Sequence, residues 1–184
     1  MQEPRSARVA VLGERGVGKS MFLSSLTGCT PAPTAQQPSF AVHAHEGSIM
    51  ELLECSTHAD YAAGRDLLLH GAQAWVVLYS SGSKASLARA REWERVAGAR
   101  HVPVLLLGIV RDLTLPFFLS AGANGSGPLI APSLPVSLPL TFALSDASAL
   151  RAGSAVYAAL ATLFTRALAK HQVRAGLVES FAMP

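Results

Sequence analysis

The sequence predicts an α/β protein: a doubly wound, mostly parallel six-stranded sheet with helices on both faces. Two observations carry this expectation. Short apolar runs alternate with stretches whose apolar residues recur at helical spacing, and that alternation packs as a parallel sheet covered on both sides. Two of the runs, Trp75 to Tyr79 and Val102 to Gly108, are apolar without a polar face, as buried parallel strands are. With 184 residues, half of them apolar and 15% charged, the chain is long enough for one core and too apolar for disorder. One domain over residues 1–184 is expected.

Arg8 to Leu12 reads as the first buried strand, Gly13 to Gly18 as a glycine-rich turn, and Lys19 to Leu26 as a helix with Phe22 and Leu26 on one face. From Gly28 to Pro38 the residues are Pro, Thr and Gln-rich, which is loop chemistry. Strands are expected at Ser39 to His45 and Ser48 to Cys55, joined by a turn at Glu46-Gly47. Ser56 to His70 reads as a mobile, poorly regular stretch before the Trp75 strand. Leu87, Ala90, Trp93 and Ala97 then recur at helical spacing, and Val102 to Gly108 follows as a strand. A last strand at Leu138 to Leu144 precedes a long helix with the stripe Leu150, Tyr157, Leu160, Phe164 and Leu168, and residues 172–184 read as a C-terminal tail. Residues 113–139 are dense in Leu, Pro, Ser and Gly without periodicity, so an irregular loop is expected there.

The chemistry lies in Gly13-Glu14-Arg15-Gly16-Val17-Gly18-Lys19-Ser20, which matches the phosphate-loop pattern in full. A chance match is expected at only a few in about 10⁵ positions, and this one follows a strand and opens a helix, as its mechanism requires. Glycines let backbone N–H groups converge on phosphates, Lys19 reaches the terminal phosphates, and the Ser20 hydroxyl ligates Mg²⁺. Glu14 to Met21 are therefore the expected phosphate contacts. A relic turn that keeps its shape without a ligand is the plain alternative.

This loop and the order of elements resemble the Ras-like small GTPases over nearly the whole chain. The resemblance implies GTP or GDP with Mg²⁺ as ligands. Pro33-Thr34 resembles that family's first switch, making Thr34 a metal ligand beside Ser20; a simple Pro-Thr turn is the other reading. Where the family carries Asp-x-x-Gly-Gln after the third strand, this chain has Glu54-Cys55-Ser56-Thr57-His58. Glu54 would reach the metal through water, Thr57 removes the flexible glycine, and His58 is the remaining candidate for polarising water, or else a surface histidine. Slow or absent hydrolysis is expected. The family's Asn-Lys-x-Asp aligns with Ile109-Val110-Arg111-Asp112, leaving only Asp112 for the guanine edge. Ser145-Asp146-Ala147 stands where Ser-Ala-Lys contacts the base, making Ser145 and Ala147 candidates. Capping explains Asp112 and Ser145 equally well.

Within the family the chain is most similar to the Rab-like subunit of intraflagellar transport complex B. Shared marks are the acidic-Cys pair Glu54-Cys55, the lost Asn-Lys-x-Asp motif, the Ser/Pro/Leu-rich segment Ser133 to Leu138 and the tail Glu179 to Met183. The resemblance implies an adaptor that docks on a coiled-coil heterodimer of the transport complex and acts in building cilia or flagella.

The net charge of +3 is spread along the chain, and Arg89, Arg91, Arg95 and Arg100 form a solvated helix face rather than a nucleic-acid footprint. Two cysteines, no leader pattern, no bilayer-length apolar stretch and no lipidation signal lead us to expect a cytoplasmic protein with no direct membrane anchor. His43 and His45 point to one face of a strand, but without a third ligand they read as the solvent face of an edge strand. Two other functions compete with a GTP-binding adaptor. One is a nucleotide-free scaffold. The other is a P-loop small-molecule kinase, which needs an arginine-bearing lid that 113–139 does not contain.

Overall fold

The structure is a computed structural model that describes residues 5–28, 40–45, 47–56, 59–110, 140–143 and 154–181. Its elements in chain order are β1 (Ser6–Gly13), α1 (Lys19–Thr27), β2 (Phe40–His45), β3 (Ser48–Glu54), a 3-10 turn (Ala59–Tyr61), α2 (Ala62–Gly71), β4 (Ala74–Ser80), α3 (Lys84–Ala99), β5 (Val104–Val110), β6 (Leu140–Ala143) and α4 (Ala155–Phe181). The architecture is α/β with a mixed sheet, ordered β2-β3-β1-β4-β5-β6. Among the described residues only β2 runs antiparallel to its neighbour; the other pairings are parallel.

The side-chain period of a strand splits the core into two layers. Val9 and Val11 of β1 face α1 and α4, where they meet Phe22, Leu26, Leu160 and Phe164. Ala10 and Leu12 face the other way, into Leu69 of α2 and Ala90 and Ala97 of α3. β4 is buried from Ala74 to Tyr79 because both layers cover it, as its unbroken apolar run predicts.

Helix ends follow local chemistry. α1 lies between two left-handed glycines, Gly18 (φ 110°) and Gly28 (φ 72°), the second being a frequent helix stop. At α3 the Ser83 hydroxyl accepts the Ser86 N–H at 3.2 Å, and the Ser86 hydroxyl accepts the Ser80 N–H at 3.0 Å, tying the end of β4 to the start of the helix. At α4 the Ser154 hydroxyl accepts the Tyr157 N–H at 3.0 Å.

Two expectations are corrected, and the expected tail is helical in part. The stretch Ser56 to His70, expected to be irregular, is helical from Ala62, where α2 begins, held by Leu69 in the core. Residues 172–181, expected as tail, continue α4 to Phe181. His43 does not face solvent: β2 exposes Phe40 and Val42, and its alternation turns the His43 ring inward against Phe164 (5.8 Å between centroids) and Tyr157 (6.4 Å) of α4. Residues 113–139 lie outside the described residues.

Both tryptophans belong to the second layer. Trp75 of β4 is fully buried and meets Trp93 of α3 edge to face at 6.2 Å, and the Arg100 guanidinium lies 5.9 Å over the Trp75 ring. Among the described residues no helix is long and apolar enough to cross a membrane.

Candidate functional site

The parallel strands β1, β3 and β4 end at one edge of the sheet, the edge where open α/β sheets place their ligands. Register fixes who meets there: Val11 pairs with Glu54 on one side of β1, and Gly13 pairs with Leu78 on the other. The loop leaving β1 therefore starts between the ends of two neighbours.

That loop turns on Gly13 (φ 146°), Gly16 (φ 73°) and Gly18 (φ 110°), conformations that side chains with a Cβ rarely adopt. Inside it the Val17 N–H donates to the Glu14 carbonyl at 3.2 Å. Val17 is buried as a plug from below while Arg15 and Gly16 stay exposed. No side chain caps the first turn of α1, so its N–H groups point out of the helix start, where an anion is favoured. Met21 lies in that turn, half exposed.

Lys19 is buried, and its Nζ donates to the carbonyls of Gly13 and Glu14, both at 3.0 Å. These bonds curl the loop around the ammonium. Burial pulls the Lys19 pKa below its ordinary value, and the negative charge of Glu54 opposes that shift. An arriving phosphate would oppose the shift further.

The Ser20 Oγ donates to the Glu54 Oε2 at 2.8 Å, joining groups 34 residues apart in sequence. The helix start and the end of β3 thus present a hydroxyl and a carboxylate together. Hard oxygen donors of this kind suit Mg²⁺, which takes one or two protein ligands and completes its shell with water and phosphate. Among the described residues no group of three or more His, Cys, Asp or Glu side chains is placed to hold a metal alone.

Cys55 follows Glu54 and is fully buried. Burial pushes its thiol up to about 11, against the pull of Arg65 and then Lys19. Such a thiol is a core side chain rather than a nucleophile. In native protein at pH 8, its alkylation by iodoacetamide is expected to run more than about 100-fold slower than in denaturant, where the thiol is exposed. Peptide mass spectrometry after timed quenching measures this, and comparable rates would contradict the burial. The unfolded thiol ionises near 9.0 and the folded one near 11. The Cys55 contribution to stability is therefore complete below 9.0 and is lost as pH rises through about 11.

Of the predicted site residues, Glu14 to Met21 and Glu54 come together at one sheet edge. Thr34, His58, Asp112, Ser145 and Ala147 lie outside the described residues. Two neighbours carry no motif and were not legible in sequence. Arg89 of α3 pairs with Glu14 at 3.7 Å, an exposed pair worth at most about 1 kcal/mol. Arg65 of α2 donates from Nη1 to the Ser56 carbonyl at 3.2 Å. A cleft of about 350 Å³, bounded by Gly13, Glu14, Arg15, Leu78, Arg89 and Trp93, opens between the loop and α3. Its lining does not include Lys19 or Ser20, so it lies beside the cradle rather than in it.

The sequence matches no family model, and no curated protein matches it.

Proposed function

We propose that the chain is an atypical small-GTPase-like adaptor that binds GTP or GDP with Mg²⁺ and hydrolyses GTP slowly or not at all. The observation that carries the nucleotide reading is the 2.8 Å contact between Ser20 Oγ and Glu54 Oε2 beside a three-glycine loop. A hydroxyl at the helix start and a carboxylate at the neighbouring strand end are the oxygen pair that a phosphate-bound magnesium ion needs. Ser20 and Glu54 would hold Mg²⁺, which when bound neutralises phosphate charge; Lys19 and the amides of the α1 start would hold the phosphates.

Support for guanine comes from the resemblance of Asp112, Ser145 and Ala147 to base-contacting positions. Support for slow hydrolysis comes from Thr57 and His58 standing where the family has Gly and Gln. The finer reading is a subunit of the intraflagellar transport complex, docked on a coiled-coil heterodimer in the cilium or flagellum, and it rests on the resemblance in sequence.

Pure protein, denatured and chromatographed, is expected to release GDP or GTP. Release of ATP would revive the kinase reading. Release of nothing, with no binding of added nucleotide, would leave a nucleotide-free scaffold, a reading that the internal satisfaction of Lys19 by two loop carbonyls favours. Glu54→Ala is expected to weaken GTP binding about 10-fold with Mg²⁺ present, and to make little difference in EDTA. Isothermal titration in both buffers separates these outcomes, and an equal loss in both would remove Glu54 from the metal site.

A further inference from the structure

The path from β3 to α2 brings an arginine back to the phosphate edge. β3 ends there at Glu54, Cys55 and Ser56 follow, and after the 3-10 turn Ala59–Tyr61 the helix α2 begins at Ala62. Arg65 stands in its first turn. It precedes Leu69, buried against the sheet, by four residues and so shares its inward face, whereas Asp66 and Leu67 are exposed.

The guanidinium is only partly used. Nη1 donates to the Ser56 carbonyl, while Nε is buried and has no hydrogen-bond partner among the described residues. Among the described residues Arg65 forms no ion pair. A half-buried cation without a carboxylate is an unfavourable arrangement unless an anion joins it. The planar fork of Nε and Nη is matched to two oxygens of a phosphate.

Its neighbourhood is the phosphate site. The Ser56 carbonyl that Arg65 holds lies two residues beyond Glu54, whose carboxylate accepts the Ser20 hydroxyl. Cys55, between them, donates its N–H to the Val11 carbonyl at 2.9 Å, which fixes this stretch against β1 just before the glycine loop.

We infer that Arg65 is the side chain through which this site distinguishes a nucleoside triphosphate from a diphosphate, by donating hydrogen bonds to the terminal phosphate. The inference rests on the nucleotide reading above. It gives α2 the discriminating contact in a chain that carries Thr57 where the resembled family has a glycine. Arg65 bound to both the Ser56 carbonyl and the terminal phosphate would fix α2 differently in the two nucleotide states.

The full chain, with Mg²⁺, is titrated with GDP and with a non-hydrolysable GTP analogue. Arg65→Ala is expected to weaken the analogue about 10- to 100-fold and GDP by less than about 2-fold. Arg65→Lys, which keeps charge without the fork, recovers part of the loss. The terminal-phosphate ³¹P resonance of the bound analogue shifts in Arg65→Ala while the inner phosphates hold. Equal losses for both nucleotides, or no loss, would overturn the inference and leave Arg65 as a brace for Ser56. If Arg65→Ala does not fold, the same comparison is made with Arg65→Lys, and an unchanged ratio overturns the inference. Wild-type protein that binds neither nucleotide overturns the nucleotide reading itself, which separates the two failures.

Discussion

Lys19→Met is expected to reduce affinity for a GTP analogue by about 100-fold or more, through loss of a charged hydrogen bond to phosphate in a buried site. The stability of the empty protein should move far less. Two effects oppose each other there. Methionine relieves the desolvation of a buried ammonium, while the carbonyls of Gly13 and Glu14 lose their 3.0 Å donors. Each orphaned carbonyl costs about 1–3 kcal/mol, and removing a buried charge returns a similar amount, so a net change below about 2 kcal/mol is expected. A pH series isolates the lysine. Its folded pKa lies below the ordinary 10.5 because burial disfavours the ammonium. Below that folded pKa the folded state holds an unwelcome proton. Stability rises as pH climbs from there towards 10.5, where the unfolded lysine also loses its proton. Lys19→Met should erase this rise, leaving the opposite alkaline loss from Cys55 uncompensated. Unchanged nucleotide affinity in a folded Lys19→Met protein would remove the site assignment.

Gly13→Ala is expected to be the most damaging small substitution in the loop. A Cβ there would stand 2.6 Å from the Leu78 carbonyl oxygen and 2.8 Å from Val17 Cγ1, at a φ of 146°. Val17 can turn aside, but Leu78 cannot, because it belongs to the β1–β4 ladder in which it pairs with Gly13. Backbone strain and overpacking together should cost about 3 kcal/mol or more, a large share of the roughly 5–15 kcal/mol that stabilises a domain. For this size the melting temperature falls by about 6–12 °C. Gly28→Ala is the control: it shares a left-handed φ of 72°, yet nothing lies within 4 Å of the added carbon. It should cost only the conformational strain, about 1 kcal/mol. Equal losses at the two positions would show that the close approach of Gly13 to β4 is not what selects glycine.

What was readable in the sequence follows from how local the determining physics is. The loop was legible because glycines at fixed spacing between a strand and a helix prescribe a tight turn, and β4 and most of β5 because burial between two layers leaves an unbroken apolar run. α2 was not legible. Ala62–Gly71 contains Gly64, ends on Gly71 and has three successive leucines without helical spacing; of these only Leu69 is fully buried, and Leu67 is three-quarters exposed. Its helicity is decided by the sheet beneath it, not by its own pattern. The role of His43 was misread for a related reason: alternation along a strand gives two faces, but only the position of α4 says which is covered. Arg65 had no motif to announce it, since its partner is a backbone carbonyl nine residues away. Glu54 stood out only through the family resemblance, and its hydrogen bond to Ser20, 34 residues away in sequence, had no local signal.

The tryptophan pair turns the second core layer into a built-in optical probe. Both indoles of the chain sit together, one with its N–H buried and without an acceptor among the described residues, the other bordering the cleft beside Gly13 and Arg15. Emission from the first should be blue-shifted and steady, while that of the second tracks any rearrangement of the loop against α3. Spectroscopy without an added label is therefore expected to report whether adding nucleotide rearranges the loop, and an unchanged Trp93 emission would speak against it.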